Sequence, residues 1–561
     1  MDLLVLGPVV RHVDETSAAI WVEVARSATV GVRAGEHSWS TRTFRVHDHH
    51  FALVECDGIE PGTVTPYTVT VDGTQVWPPA EPGLDLPPSV IATLEPGKPL
   101  RLAFGSCRTS VPHDKKGNLT HGVDALRAYA LAMAGVTQPP EGLSWPDLVL
   151  FLGDQVYADE TSGQMQEFIA SRRDLDEPPG TELKDFEEYA YLYFLAWSDP
   201  ANRWLLSTLP SAMIFDDHDV RDDWNTSWDW RQEMEATTWW HGRIVAALAS
   251  YWVYQHLGNL SPAERAQDEI WRQVREHVGE EEQDLTEVLD AFADRADQHP
   301  ATYRWSFARD IAGSRLVVVD SRAARVLRPD HRSMLDDGTT AWLDEQMRGG
   351  FDHLLVGTSL PFLLPRGLHH LEAFSEALAE RGRSKAGRRL GEQLRTTADL
   401  EHWGAFQKGF TDVARMALQV ARGERGRAPR TVTFLSGDVH HSYVSQAESV
   451  GPAAIVQAVC SPIRNPLPRV MRFATAALSY GVAATVGDAA ARLTKVPPAP
   501  FRWRRVRGPW FDNNLATLEV TDQGLEMWWA TGKVHDGQQD RPVLERVATV
   551  VIGPDGVARG T

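Results

Sequence analysis

Four short apolar runs, each stopping at a group of potential metal ligands, constrain this chain more than any other feature: LRLAFGSC ends at Cys107, DLVLFLGD at Asp154, SAMIFDDHD at Asp219 and RTVTFLSGDVHHS at Ser442. Uncharged runs of this length predict strands buried on both faces. SRLVVVDSR, HLLVGTSL and AAIVQAVC repeat the pattern, and helix-length segments separate most of them, which predicts an α/β domain. In such sheets functional groups gather just past the carboxyl ends of the strands. Carboxylate, imidazole, thiolate and phenolate groups from separate strands are therefore expected at one edge, as a polynuclear metal site.

A chain of 561 residues exceeds one ordinary hydrophobic core, so two domains or one elaborated domain are expected. From Ala18 to Val76 apolar and polar residues alternate in short pieces, the period-two pattern of an antiparallel sandwich. The proline-rich stretch Pro78–Pro99 marks the joint, giving a sandwich over 1–98 and a larger domain over 99–561. IEPGTVTPYTVTV resembles a fibronectin type III strand-turn-strand with Tyr67 as its corner tyrosine. Residues 162–298 carry helical periodicity, as in PAERAQDEIWRQVREHVGEEEQ, and are expected to form a mainly helical insertion. The late strands LATLEV and LEMWWAT are expected to complete a second sheet.

The formal charge of -20 argues against a nucleic-acid surface, because a polyanion would be repelled. Three widely spaced cysteines, Cys56, Cys107 and Cys460, imply no disulfide framework. With no basic, cleavable leader at Met1–Val10, a cytoplasmic location is expected. Phe473–Gly487, a charge-free stretch, is short of the roughly 20 residues a membrane span needs and is expected to pack as a helix or lid.

Asp154 is a short carboxylate leaving a strand, placed to bridge two cations, although a Gly-Asp pair there also serves as a turn or helix cap. Asp216, Asp217, His218 and Asp219 concentrate charge after an apolar strand, which is costly to bury unless a metal or proton compensates. The alternative is a solvated acidic loop. Asp438 and His440, at i and i+2, share a face if the backbone stays extended, and both could then ligate. Cys107 is a small thiol, whose commonest fate is simple burial, and Arg108 beside it either clamps a substrate oxygen through its planar fork or forms a salt bridge. Trp224, Trp228, Trp230, Trp239, Trp240 and Trp252 are read first as core of the insertion, with a substrate mouth as the alternative.

Together these segments resemble the PhoD-type alkaline phosphatases, a branch of the calcineurin-like metallophosphoesterases, over roughly Leu100–Asn465. The resemblance implies an α/β sandwich with two central sheets flanked by helices. It places Asp154 as the metal bridge, Asp217 in a ligand role, His218 against the substrate phosphate, and Asp438 and His440 closing the site. Cys107 and Tyr157 match the thiolate and phenolate of an iron(III)-binding centre. The histidine of the family's D-x-H slot is missing, LLVGTSLPF has no histidine after it, and Asp222 and Asp223 stand where asparagines often follow.

Ligand hardness points the same way: thiolate with phenolate favours Fe3+, and carboxylates in place of imidazoles favour Ca2+, with Mn2+, Mg2+ or Zn2+ as candidates for the second ion. The implied chemistry is hydrolysis of a small phosphate ester, with monoesters and diesters both open. The alternatives are a catalytically weak metal- or phosphate-binding regulatory protein on the same fold, and a phospholipid or nucleotide phosphodiesterase.

Overall fold

The computed structural model describes residues 2–560 except 80–83, 278, 280, 329–330, 382–399, 449, 469–471 and 473–496. Phe473–Gly487 therefore lies outside the described residues. Among the described residues no helix is long and apolar enough to cross a membrane.

The N-terminal region is a sandwich of two sheets. One contains Leu4–Val13, Ala18–Val24, His49–Cys56 and Phe44–Val46, and the other His37–Arg42, Thr29–Ala34, Val64–Val71 and Thr74–Trp77. Thr29–Ala34 and Val64–Val71 largely alternate in exposure, as period-two strands with one wet face do. Ala18–Val24 is buried at every position, because its outer face packs on the helices that follow. Trp21 there lies edge-on to Trp197, at 6.1 Å, and 5.3 Å from Tyr254. The short strand Gln283–Asp284 of the insertion also pairs in parallel with Phe44–Val46. Tyr67 is not a local corner: its hydroxyl donates to the Ser207 carbonyl at 2.7 Å, 140 residues away, so it ties the sandwich to the following region.

Two seven-stranded sheets follow. The first runs Ser211–Ile214, Leu148–Leu152, Arg101–Gly105, Leu515–Thr521, Gly524–Lys533, Val543–Ile552 and Ala558–Gly560, with the first three strands parallel. The late strands thus extend the sheet of Arg101–Gly105 and do not build the other one. The second sheet centres on the parallel strands Ser314–Val319, His353–Thr358, Thr431–Ser436 and Ala454–Val459. The sheets meet face to face where Gly357 faces Leu150 and Leu152, close enough that a Cβ would lie 3.2–3.3 Å from their side chains. This packing brings the carboxyl ends of Arg101–Gly105, Leu148–Leu152, Ser211–Ile214 and Thr431–Ser436 to one place.

The insertion is built from Gly163–Arg172, Phe186–Trp197, Pro200–Leu206, Trp228–Glu235, Trp240–Tyr251 and Thr286–Gln298, among other helices. Trp224, Trp230, Trp240 and Trp252 are buried in its core. Trp239 is stacked by Arg221 and Arg243, and of the six only Trp228 is exposed.

Candidate metal centre

Each candidate ligand sits on the first residues after a strand, where the chain turns abruptly out of the sheet. Cys107, Asp154, Asp438 and His440 all adopt left-handed backbone, with φ of 58°, 50°, 65° and 50°. That conformation costs a non-glycine residue about 1–3 kcal/mol and persists only where the surroundings enforce it. Here they do. Cys107 N–H donates to Gly153 O at 3.2 Å, Arg108 N–H to Asp154 O at 3.0 Å, Gly437 N–H to Ser359 O at 2.9 Å and Asp438 N–H to Ser106 Oγ at 3.1 Å. The strand ends approach so closely that glycine is required at two points. A Cβ on Gly153 would lie 2.6 Å from that of Asp216, and one on Gly437 would lie 1.9 Å from Ser106 Oγ.

Three ligand groups result among the described residues, each with its donor atoms within 4.8 Å of one another: Cys107, Asp154 and His440; Asp154, Asp216, Asp217 and Asp438; and, at the edge, Asp217, His218 and Asp222. The first two share Asp154. Only a residue shared in this way could bridge two ions. Tyr157 joins the first group, its hydroxyl 3.4 Å from Asp154 Oδ2 and 3.5 Å from His440 Nε2. Asp438 and His440 do not share an extended face. With left-handed backbone at both, they divide between the first two groups.

Burial is the main electrostatic fact. It pushes the Asp154 and Asp217 carboxyls well above the usual carboxylate range and Asp216 to about 6, in each case against nearby cationic groups. It also pushes the Cys107 thiol and Tyr157 phenol up, reinforced by the charge of Asp154. Asp154 Oδ1, Asp216 Oδ2 and Asp217 Oδ1 are buried with no aligned hydrogen bond, although Arg322 Nη2 lies 3.0 Å from the last. Orphaned carboxylate oxygens converging from separate strands fit a bound cation.

Further charged residues surround these groups. Fully buried Arg322 pairs with Asp216, Asp217 and, through both terminal nitrogens, Glu401. His402 lies 2.8 Å from Asp438 Oδ2, and although burial opposes the effect, the imidazole lowers the Asp438 carboxyl to about 2. Asp159 holds His218 Nδ1 at 2.9 Å, leaving Nε2 directed toward Asp222, 3.9 Å away. Burial works against charge on His218, but the charges of Asp159 and Asp217 and the Asp159 hydrogen bond outweigh it and hold the imidazole well above the usual histidine range.

Arg108 stands apart. Its guanidinium donates to Asp124 Oδ2 at 2.8 and 3.1 Å and to Ala196 O at 2.7 Å, and it is only 4% exposed. Asp124 also caps the helix Ala125–Met133. The structure therefore gives Arg108 a buried salt bridge and not a phosphate clamp, because moving it would leave Asp124 buried and unpaired.

No curated protein matches the chain. Among solved structures, one of PhoD aligns with a TM-score of 0.59 and 14% identity over 100% of this chain and 92% of that one, which speaks to the fold alone. GAP50, the anchor in the inner membrane complex of Plasmodium, aligns with a TM-score of 0.27 and 8% identity over 77% of this chain and 84% of its own. Residues 1–91 match a domain of unknown function, DUF7800. The pattern of the PhoD-like phosphatases matches residues 140–485, more than half of the sequence and inclusive of the Asp154, Asp217 and Asp438 loops, and the chain belongs to that family.

Proposed function

We propose that this protein hydrolyses phosphate esters with the help of bound metal ions. The observation that carries the proposal is the pair of buried ligand groups sharing Asp154, with two carboxylate oxygens, Asp154 Oδ1 and Asp216 Oδ2, that no protein donor satisfies. Cys107, Tyr157, His440 and Asp154 would hold a trivalent ion such as Fe3+. Asp154, Asp217 and Asp438 offer only hard oxygens and would hold Ca2+, with Mn2+, Mg2+ or Zn2+ as alternatives. When bound, such ions neutralise phosphoryl oxygens and make a water acidic enough to act as nucleophile near neutral pH.

The chain's own contribution to proton movement is His218. Asp159 fixes Nδ1, and the side chain keeps 16% of its surface open, so Nε2 can present a proton to a leaving oxygen. The Arg108 salt bridge and the Arg322 web leave both guanidiniums committed to protein carboxylates. Charge on the substrate phosphate is then balanced chiefly by the cations and by His218.

The test measures metal content of the purified protein together with cleavage of nitrophenyl phosphate and bis(nitrophenyl) phosphate, before and after chelation and reloading. Activity lost on chelation and restored by reloading is expected. Bound metal with neither ester cleaved would replace the hydrolase assignment by a binding role.

A further inference from the structure

We propose that the N-terminal sandwich is a working part of the metal centre, connected to it through Arg11, Gln255 and Asp219 as positioning residues. The proposal rests on Asp154 being a metal ligand.

Asp219 closes the DDHD segment, yet it does not point into any ligand group. Its Oδ2 accepts from the backbone N–H of Asp154 at 2.9 Å and of Asp216 at 2.9 Å, and its Oδ1 accepts from Val156 N–H at 3.4 Å. One buried carboxylate thus staples the loop after Leu148–Leu152 to the loop after Ser211–Ile214. These loops carry the shared ligand Asp154 and the ligand Asp217. Moving Asp219 moves the two ligands relative to each other.

The remaining bond of Asp219 comes from Gln255 Nε2, at 3.1 Å, and the same nitrogen reaches Tyr193 Oη at 2.9 Å. Gln255 lies in a π-helical turn, Trp252–His256, at the end of the helix Trp240–Tyr251. Such a turn inserts an extra residue and redirects the side chains after it, and it recurs at functional sites. The sandwich holds this turn in place. Arg11, on the first strand, is 1% exposed and donates through Nη2 to the Gln255 carbonyl and to Asn259 Oδ1 at 3.3 Å. Its Nη1 lies 3.4 Å from Tyr254 O and 3.3 Å from Met213 Sδ, the latter on the strand that leads to Asp216. Room for it is made by Gly258, where a Cβ would lie 2.0 Å from Arg11 Nε. Tyr254 adds a second tie, its hydroxyl donating to Glu23 Oε2 of the sandwich at 2.9 Å.

Removing Arg11 or the Gln255 amide should therefore loosen metal binding without touching a ligand. Full-length Arg11→Met, Gln255→Met and, as a control, Val32→Ala are titrated with Mn2+ alone by calorimetry, with thermal unfolding in parallel. Val32 is a buried core residue of the sandwich's other sheet and does not touch this path. We expect Gln255→Met and Arg11→Met each to weaken Mn2+ binding roughly 10–100-fold, the usual loss for a residue supporting a ligand. Val32→Ala should lower the melting temperature and keep wild-type Mn2+ affinity. Wild-type affinity in folded Gln255→Met would overturn the proposal even if Arg11→Met fails to fold, as would an equal loss in Val32→Ala. No Mn2+ binding by the wild-type protein would instead overturn the metal-centre assignment and this proposal with it.

Discussion

His402 stands between two carboxylates, its Nε2 2.8 Å from Asp438 Oδ2 and its Nδ1 2.7 Å from Glu372 Oε1. The loop at Glu401–His402 and the helix Arg366–Arg381, which carries Glu372, thereby reach the candidate ligand Asp438 at the end of a central strand. Hydrogen-bonded partners of this kind fix the orientation of a ligand and tune its basicity.

Breaking this chain of contacts should be felt as metal affinity. We expect His402→Ala and Glu372→Gln to weaken binding at the carboxylate group by roughly 10-fold or more, with the glutamine variant milder because it can still bond the imidazole. Calorimetric titration with Ca2+ or Mn2+ measures it. Unchanged affinity in His402→Ala would assign the histidine to packing alone.

Asp154 belongs both to the group with Cys107 and His440 and to the group with Asp216, Asp217 and Asp438. Asp154→Asn should abolish turnover and lower the content of both metals together, because an amide neither bridges two cations nor carries the charge they need. Metal analysis beside a nitrophenyl phosphate assay decides it, and near-normal activity with full metal occupancy would remove Asp154 from the bridge.

His218 is held by Asp159 and contributes no atom to the two groups that share Asp154. His218→Ala is expected to lower kcat by roughly 10²–10⁴-fold, the range for general acid–base help, with metal content retained. Asp159→Asn should fall between this variant and wild type. Loss of metal from His218→Ala would move the histidine into the ligand set through its contact with Asp217 and Asp222.

The strand ends were legible because each is a local pattern: an apolar run long enough to be buried on both faces, then polar groups that burial could not tolerate unpaired. Asp154, Asp217 and Asp438 stood out for that reason. Arg108 misled because a cation beside a strand-end cysteine looks the same in sequence whether it faces substrate or Asp124, 16 residues on. Glu401 and His402 carry no local pattern, and only long-range packing brings them to Arg322 and Asp438. The loop after the Ser211–Ile214 strand shows the same limit, since four consecutive polar residues look alike while only the fold separates the ligand candidate Asp217 from the staple Asp219. The alternation of the sandwich was clear where one face is wet and was lost in Ala18–Val24, where the insertion covers the second face.

Cys107 and Tyr157 make a spectroscopic prediction. Burial pushes both groups above their ordinary values, about 8.5 and about 10, so they ionise near neutral pH only against a highly charged ion. Iron-loaded protein should be coloured by charge transfer from thiolate and phenolate. Cys107→Ser and Tyr157→Phe should each shift or weaken the visible band, with the far-UV circular dichroism unchanged. A colourless iron-loaded wild type, or identical spectra in both variants, would leave Cys107 a buried thiol and Tyr157 a packing residue.

The joint between sandwich and insertion carries its own pH dependence, centred on His49. Its Nδ1 lies 2.7 Å from Glu23 Oε1 on the neighbouring strand and its Nε2 3.0 Å from Glu187 Oε2 on the helix Phe186–Trp197. Burial disfavours the charged ring, but the bonds to Glu187 and Glu23 outweigh it and raise the pKa to about 10. A histidine raised in the folded state stabilises fully below its unfolded value, about 6.5, and loses that contribution as pH climbs through the folded value. The contribution should therefore be complete at pH 6 and nearly gone by pH 11. At about 1.4 kcal/mol per pH unit it amounts to a few kcal/mol at most, since the ring keeps 19% of its surface in water. Neighbouring His47 is raised in the same direction by its hydrogen bond to Asp290, so wild-type protein should lose stability steadily under alkaline conditions. His49→Gln should melt several degrees below wild type at pH 7, and the gap should close toward pH 11. A gap that stays constant across that range would mean that His49 acts by shape and neutral hydrogen bonding alone.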